Sequence, residues 1–344
     1  GFVVPLFSWK GRRRLLGFWR RWEYWPAWLL YPPLLGYLVF LGLRYRGLTV
    51  FTAANPAMPA GGVLGESKAD ILEGLAGAGE AVPPWSRLPD GDPESRLEAV
   101  RRFRGEHDLE YPLILKPDIG QRGSEVALVR SDEEALVHLR EHSGRFLVQR
   151  YVPGPELSVF YYRHPGAEKG RIFSITDKEF PVVVGDGKRT LEEFVLTDRR
   201  AVALSSVYLE ELGDRGRDVP IAGESVQLNE IGAHSRGTIF RDGWARFSDA
   251  LEARVDEISR TYEGFYFGRY DFRAPSIEDF MLGRELRVIE LNGVTSDSTD
   301  IYDPENGSFK AYGKLLRQWK LAFEIGAANR ERGAAVTSLW GLAR

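Results

Sequence analysis

Residues 113–124 read Leu113-Ile114-Leu115-Lys116-Pro117-Asp118-Ile119-Gly120-Gln121-Arg122-Gly123-Ser124, an aliphatic run that passes from a lysine directly into a glycine-bearing loop. The run reads as a buried strand. The lysine at its end puts a point charge beside backbone N–H groups left open by small residues, the combination a phosphate requires. It is not a Walker A loop, which needs Gly-Lys-Ser/Thr at the opening of a helix. Taken alone, Lys116 with two glycines also describes a solvated turn, so the decision falls to the segments around it.

Downstream, Gln149-Arg150-Tyr151-Val152-Pro153-Gly154-Pro155-Glu156 reads as a strand, a short connector and the start of another strand. Backbone groups of such a connector can pair with the edge of adenine, and a carboxylate such as Glu156 can accept both ribose hydroxyls; the plain alternative is a hairpin turn at Pro-Gly-Pro. Two late strands, Gly268 to Arg273 and Leu286 to Leu291, bring Asp271 and Glu290, with Asn292 just after. Residues 290 and 292 point to one face because side chains alternate along a strand. Three oxygen ligands converging from neighbouring strands suit Mg²⁺ held jointly with phosphates. A carboxylate between Ile289 and Leu291 is costly unless paired or metal-bound, the alternative being a buried salt bridge to Arg269 or Arg287.

Around these segments, Leu48 to Ala54 reads as a buried strand, and a helix is predicted from the N-cap Ser67 to the glycines at 77 and 79. A second helix is expected from Pro93 to His107, and a third after Ser131 or Asp132 with Glu134 in its first turn. Strands are predicted at Glu125 to Val129, Phe146 to Gln149, Glu156 to Tyr162 and Arg171 to Thr176. A closing helix from Ser308 to Asn329 carries Leu315, Leu316, Trp319 and Phe323 at helical spacing. The order is α+β, without the βαβ alternation of a doubly wound sheet.

The ordered set of Lys68, Leu-Lys-Pro at 115–117, the glycine-rich loop, Gln-x-Tyr-Val-x-Gly-x-Glu at 149–156, Arg-x-Asp at 269–271 and Glu-x-Asn at 290–292 resembles the ATP-grasp superfamily over residues 66 to 325. Each motif is short; their order and spacing carry the likeness. It implies an ATP-grasp fold whose two α+β subdomains clasp ATP. The division would be a basic, aromatic lobe at 1–65, subdomains at 66–150 and 151–330, and a tail at 331–344. It further implies that Lys68 and Lys116 hold the ATP phosphates beneath the loop 119–124, with Gly120, Gly123 and Ser124. Gln149, the backbone of Tyr151 and Val152, and Glu156 would hold adenosine, and Asp271, Glu290 and Asn292 would bind magnesium, two ions in all. Arg269 would steady the transferred phosphoryl group or an oxyanion, so that Arg269, Lys116 and Lys68 form the catalytic set. Gln149 replaces the commoner glutamate but keeps an acceptor.

A narrower resemblance lies in Val183-Val184-Gly185-Asp186-Gly187-Lys188-Arg189-Thr190-Leu191, which is similar to a segment of cyanophycin synthetase and of bifunctional glutathione synthetases. Pro220 to Leu228 and His234-Ser235-Arg236-Gly237 are similar to another, with His234 in place of the usual asparagine. Those enzymes are carboxylate-amine ligases. The implied reaction joins an acid and an amine, small molecules or lipids, through an acylphosphate, giving ADP, phosphate and an amide. Arg122, Lys178, Lys188, His234 and Arg236 are candidate cations for the substrates. A kinase acting on a hydroxyl and a non-catalytic nucleotide-binding protein are the alternatives.

The 344 residues suffice for two or three packed lobes, since single cores stop growing near roughly 250–300 residues. Against 46 basic residues stand 49 acidic ones, a balance that argues against nucleic-acid binding, and the absence of cysteine excludes disulfides and thiolate metal sites. An ATP-consuming enzyme is expected in the cytoplasm. Near the N-terminus, Lys10, Arg12, Arg13, Arg14, Arg20 and Arg21 interleave with Trp9, Phe18, Trp19, Trp22, Trp25 and Trp28, and an uncharged run follows from Ala27 to Leu43. The run falls short of the roughly 20 apolar residues that span a bilayer, and Pro32-Pro33 is expected to break a helix there. Two readings stand side by side: residues 1–45 lie peripherally on an anionic membrane surface, at its inner face, or the aromatics form the core of a small lobe.

Overall fold

Helix α1 (Pro32–Arg44) includes the two prolines expected to break a helix there. The computed structural model describes residues 32–120, 124–198, 201, 205–228, 238–303 and 305–342, so the basic, tryptophan-rich stretch before α1 lies outside the described residues. Leu41 of α1 packs with Val50, Phe323 and Ala327, whereas Leu35, Val39, Phe40 and Leu43 on its other side are exposed. No helix among the described residues is long and apolar enough to cross a membrane. The strand expected at 48–54 is instead a 3₁₀ turn, Val50–Ala53. It packs on the closing helix and pairs with no strand among the described residues; a short apolar run does not distinguish the two.

The helix expected from Ser67 is α2 (Lys68–Gly74), with the Ser67 hydroxyl accepting from the Asp70 N–H. After it come β1 (Trp85–Arg87), α3 (Pro93–Glu106), β2 (Leu113–Pro117), β3 (Ala127–Val129), α4 (Asp132–Glu141) and β4 (Phe146–Arg150). The strands form an antiparallel sheet in the order β1-β4-β2-β3. One face buries Leu113, Leu115, Phe146 and Val148 against Leu97, Val100 and Phe103 of α3 and Ala135 and Leu139 of α4. By alternation the other face carries Ile114, Lys116 and Gln149.

The remainder comprises β5 (Glu156–Tyr162), β6 (Arg171–Glu179), β7 (Val182–Val184), α5 (Leu191–Thr197), α6 (Ser205–Leu212), β8 (Ser225–Gln227), β9 (Ile239–Asp242), α7 (Asp249–Thr261), β10 (Phe267–Arg273), α8 (Ile277–Met281), β11 (Arg287–Asn292) and α9 (Ser308–Glu331). A five-stranded antiparallel sheet runs β11-β10-β5-β6-β9. The hairpin β7-β8 sits apart with α5 and α6 on a small core of its own. In the five-stranded sheet Leu157, Val159, Tyr161, Ile175, Tyr270, Phe272 and Val288 bury against Leu251, Val255 and Ile258 of α7. The opposite face is polar: Glu156, Ser158, Thr176, Lys178, Arg269, Asp271 and Glu290. The α+β class stands, and a cleft opens where that polar face meets the Lys116 face of the smaller sheet.

Candidate active site

Lys116, on β2, is only 6% exposed. Its Nζ donates to Gln149 Oε1 at 2.7 Å within its own sheet and to the Ile289 carbonyl on β11 at 3.2 Å, so one ammonium ties the two sheets together. Burial lowers its pKa to about 8; Glu290 pulls it up and Lys68 pushes it further down. Lys68 opens α2 and donates to the Gly120 carbonyl at 3.0 Å. Asp118 brings the two lysines together. Its Oδ1 accepts from the Ser67 hydroxyl (2.8 Å) and the Ala69 N–H (3.0 Å), and its carbonyl accepts from the Lys68 N–H (2.9 Å).

On the facing sheet, Lys178 donates to Glu156 Oε1 at 2.6 Å and lies 3.0 Å from Asp271 Oδ2. Asp271 Oδ1 also accepts from the Ser158 hydroxyl at 2.6 Å, and Glu156 Oε2 accepts from Arg273 Nε at 3.0 Å. Burial pulls the Lys178 pKa down, but Asp271 and Glu156 more than offset this and hold it above the ordinary lysine value. Burial likewise opposes the charge on Asp271, and Lys178 and Arg269 keep its carboxyl below the usual range.

This network bears on three expectations. Lys178 is neither solvated nor free for a substrate acid, because it neutralises two buried carboxylates. Glu156 accepts from Lys178 at Oε1 and from Arg273 at Oε2, and its side chain still lines the cleft. Asp271 is engaged by Lys178 and Ser158, and Glu290, which lines the cleft beside it, forms no ion pair among the described residues. The anticipated salt bridge to Glu290 does not form among the described residues: Arg287 lies 3.6 Å from Glu80, and Arg269 lies 3.5 Å from Asp271. No group of three or more His, Cys, Asp or Glu side chains suited to a metal ion occurs among the described residues.

Three buried atoms here have no hydrogen-bond partner: Gln149 Nε2, Asn292 Nδ2 and Arg269 Nε. Buried polar groups are normally paired, so Gln149, which lines the cleft, marks where a polar ligand fits, whereas Arg269 Nε lies 3.5 Å from Asp271. Arg269 Nη1 donates to the Asp297 carbonyl at 3.0 Å, which aims its guanidinium along the polar face. Glu66 escaped the sequence reading because a loop residue two places before a helix carries no periodic signal. Its Oε1 accepts from the Gly293 N–H at 2.7 Å. Burial pushes its carboxyl up to about 7; the Gly293 hydrogen bond opposes this and the Glu290 charge adds to it.

The connector after β4 makes the other end of the cleft. Gly154 has φ 110°, where a Cβ would collide with the Ala274 carbonyl, so the chain turns tightly against the end of β10. Tyr151 stacks under the Arg273 guanidinium, and the Val152 carbonyl accepts from Arg273 Nη1 at 2.8 Å. Ile114, Val126, Leu128, Val152 and Ile289 line an apolar slot between the sheets, and Gly120 and Ser124 border it. Lys188 lies on the β7-α5 loop, its N–H donating to Asp186, and is not among the residues lining the cleft. Arg122, Gly123, His234 and Arg236 lie outside the described residues.

An apolar slot leading to Lys116 and Lys68, with Glu290 beside them, can hold a flat heterocycle and a polyanion end to end. No protein-family model and no curated protein matches the chain. Among solved structures it is similar to a bifunctional glutathione synthetase from Pasteurella multocida, at 15% identity over 75% of this chain and 38% of that one, with a TM-score of 0.38. It is similar also to a D-alanine–D-alanine ligase from Bacillus anthracis (16%, 78% and 69%, TM-score 0.45) and to the ATP-grasp ligase PsnB complexed with its minimal precursor (15%, 74% and 60%, TM-score 0.40). Likenesses of this size leave the chemistry to the residues of the cleft.

Proposed function

We propose that the chain is an ATP-dependent ligase of the ATP-grasp type, activating a carboxylate as an acylphosphate that an amine then attacks. The observation that carries this reading is a cleft lined by Lys68, Lys116 and Glu290, with an apolar slot leading to them. The nucleotide base lies in the apolar slot, its edge toward Lys116 and Gln149, and the phosphates run on past Lys116 toward Lys68. A substrate carboxylate oxygen attacks the γ-phosphorus, the bond to the β-phosphate bridging oxygen breaks, and ADP leaves. The amine then adds to the acyl carbon, loses a proton, and expels phosphate. Lys68, Lys116 and Arg269 balance the charge that builds on the transferred group, with Arg269 also placed for the tetrahedral oxyanion.

Glu290 and the Asn292 amide oxygen would hold magnesium against the phosphates, where the ion supplies charge neutralisation. Because Asp271 is held by Lys178, the residues present favour one ion over the two that the resemblance implies. The test is the fate of the γ-phosphoryl group. A ligase releases phosphate in equal amount with ADP, only when acid and amine are both supplied, and with acid alone it converts hydroxylamine to a hydroxamate. ADP without free phosphate, with a stable phosphorylated product and no hydroxamate, would establish a kinase instead.

A further inference from the structure

Gln149 lies opposite Ile114 across the β2–β4 pair and is 2% exposed. Its Oε1 accepts from Lys116 Nζ at 2.7 Å. An ammonium only donates, so the amide orientation is fixed: oxygen toward Lys116, nitrogen away from it. That Nε2 is buried, belongs to a side chain lining the cleft, and has no hydrogen-bond partner. Gln149 and Ile289 occupy two of the three Lys116 N–H bonds, which leaves the third for a ligand. The polar edge of the slot bounded by Ile114, Val126, Leu128 and Ile289 therefore presents two neighbouring donors, Lys116 Nζ and Gln149 Nε2.

Presented by its N7 edge, a purine answers that pair in one of two ways. Guanine offers two adjacent acceptors, N7 and O6, whereas adenine sets the N7 acceptor beside the N6 amino donor. Adenine placed there would turn an N–H against the Gln149 N–H and leave both unpaired. The acceptor expected at position 149 is already used on Lys116. A glutamate could give one oxygen to Lys116 and turn the other toward the adenine amine.

We infer, on the nucleotide-binding reading proposed above, that Gln149 selects the base and that the cleft takes 6-oxopurine triphosphates, guanosine or inosine, at least as well as ATP. The experiment is titration calorimetry of the full chain and of Gln149→Glu with MgATP, MgGTP and MgITP; ITP lacks the 2-amino group and so isolates the oxygen at position six. In the unmodified chain the Kd values for GTP and ITP should be no higher than that for ATP, and Gln149→Glu should raise the GTP-to-ATP Kd ratio by about tenfold. ATP bound about tenfold more tightly than both 6-oxopurines by the unmodified chain overturns the inference, as does a ratio unmoved by a folded Gln149→Glu. The comparison in the unmodified chain needs no variant, so a Gln149→Glu that fails to fold leaves it decisive. If none of the three nucleotides binds, the nucleotide site itself falls, and the inference with it.

Discussion

Lys116 stands where burial opposes its charge and a triphosphate would restore it. With its pKa lowered to about 8 in the free protein, the stability tied to this group is full above the ordinary value of 10.5 and is lost as pH falls through about 8. Bound phosphates reverse the cause of the shift, so nucleotide binding at pH 8 should take up protons. Calorimetry in two buffers of different ionisation enthalpy measures that uptake, and Lys116→Arg, charged throughout, should abolish it; equal uptake in both proteins would place the titrating group elsewhere. Lys116 and Glu290 were legible because a charge on an apolar strand is conspicuous. Lys178 was visible as a cation, but its burial was not: the strand predicted to stop at Thr176 continues to Glu179, which puts Lys178 on the same polar face as Thr176.

The elements that meet at the cleft are joined by Asp118, which lies between a strand end and a helix start. Replacing it with Ala removes the acceptor for the Ser67 hydroxyl and the Ala69 N–H, a loss of about 1–3 kcal/mol, and frees the end of α2 that carries Lys68. Asp118→Ala should lower the unfolding midpoint in urea and weaken nucleotide binding together, while Asp118→Asn, which keeps an oxygen in place, retains most of both. A variant that loses stability but binds nucleotide unchanged would show that Lys68 does not depend on this clasp. Helices with side-chain caps, such as those after Ser67 and Ser131, were readable because the cap residue itself announces the start. The segment 48–54 was misread because its burial comes from α9, which lies far along the chain and leaves no local pattern.

Two sheets face one another with their apolar sides turned outward onto helices, so the polar faces meet in the middle and must be balanced there. Lys178 supplies much of that balance for Glu156 and Asp271. Lys178→Met would leave two buried carboxylates short of a partner, and removing one partner of a buried pair costs about 3–5 kcal/mol. Its unfolding midpoint should fall sharply at pH 7 and recover in part under mild acid, where the carboxylates can protonate. A midpoint unchanged at pH 7 would contradict the buried network. The α+β order was largely legible from alternation, while this network was not, because it joins β5, β6 and β10 across the sheet.

On the function proposed above, the cleft between the sheets binds a magnesium–purine nucleoside triphosphate through Lys116. Titration calorimetry of the chain and of Lys116→Met with MgATP and MgGTP tests it most directly. Saturable binding of one nucleotide per chain, lost in a folded Lys116→Met, is the expected result; no binding of either nucleotide at millimolar concentration, or equal binding by the variant, would contradict it.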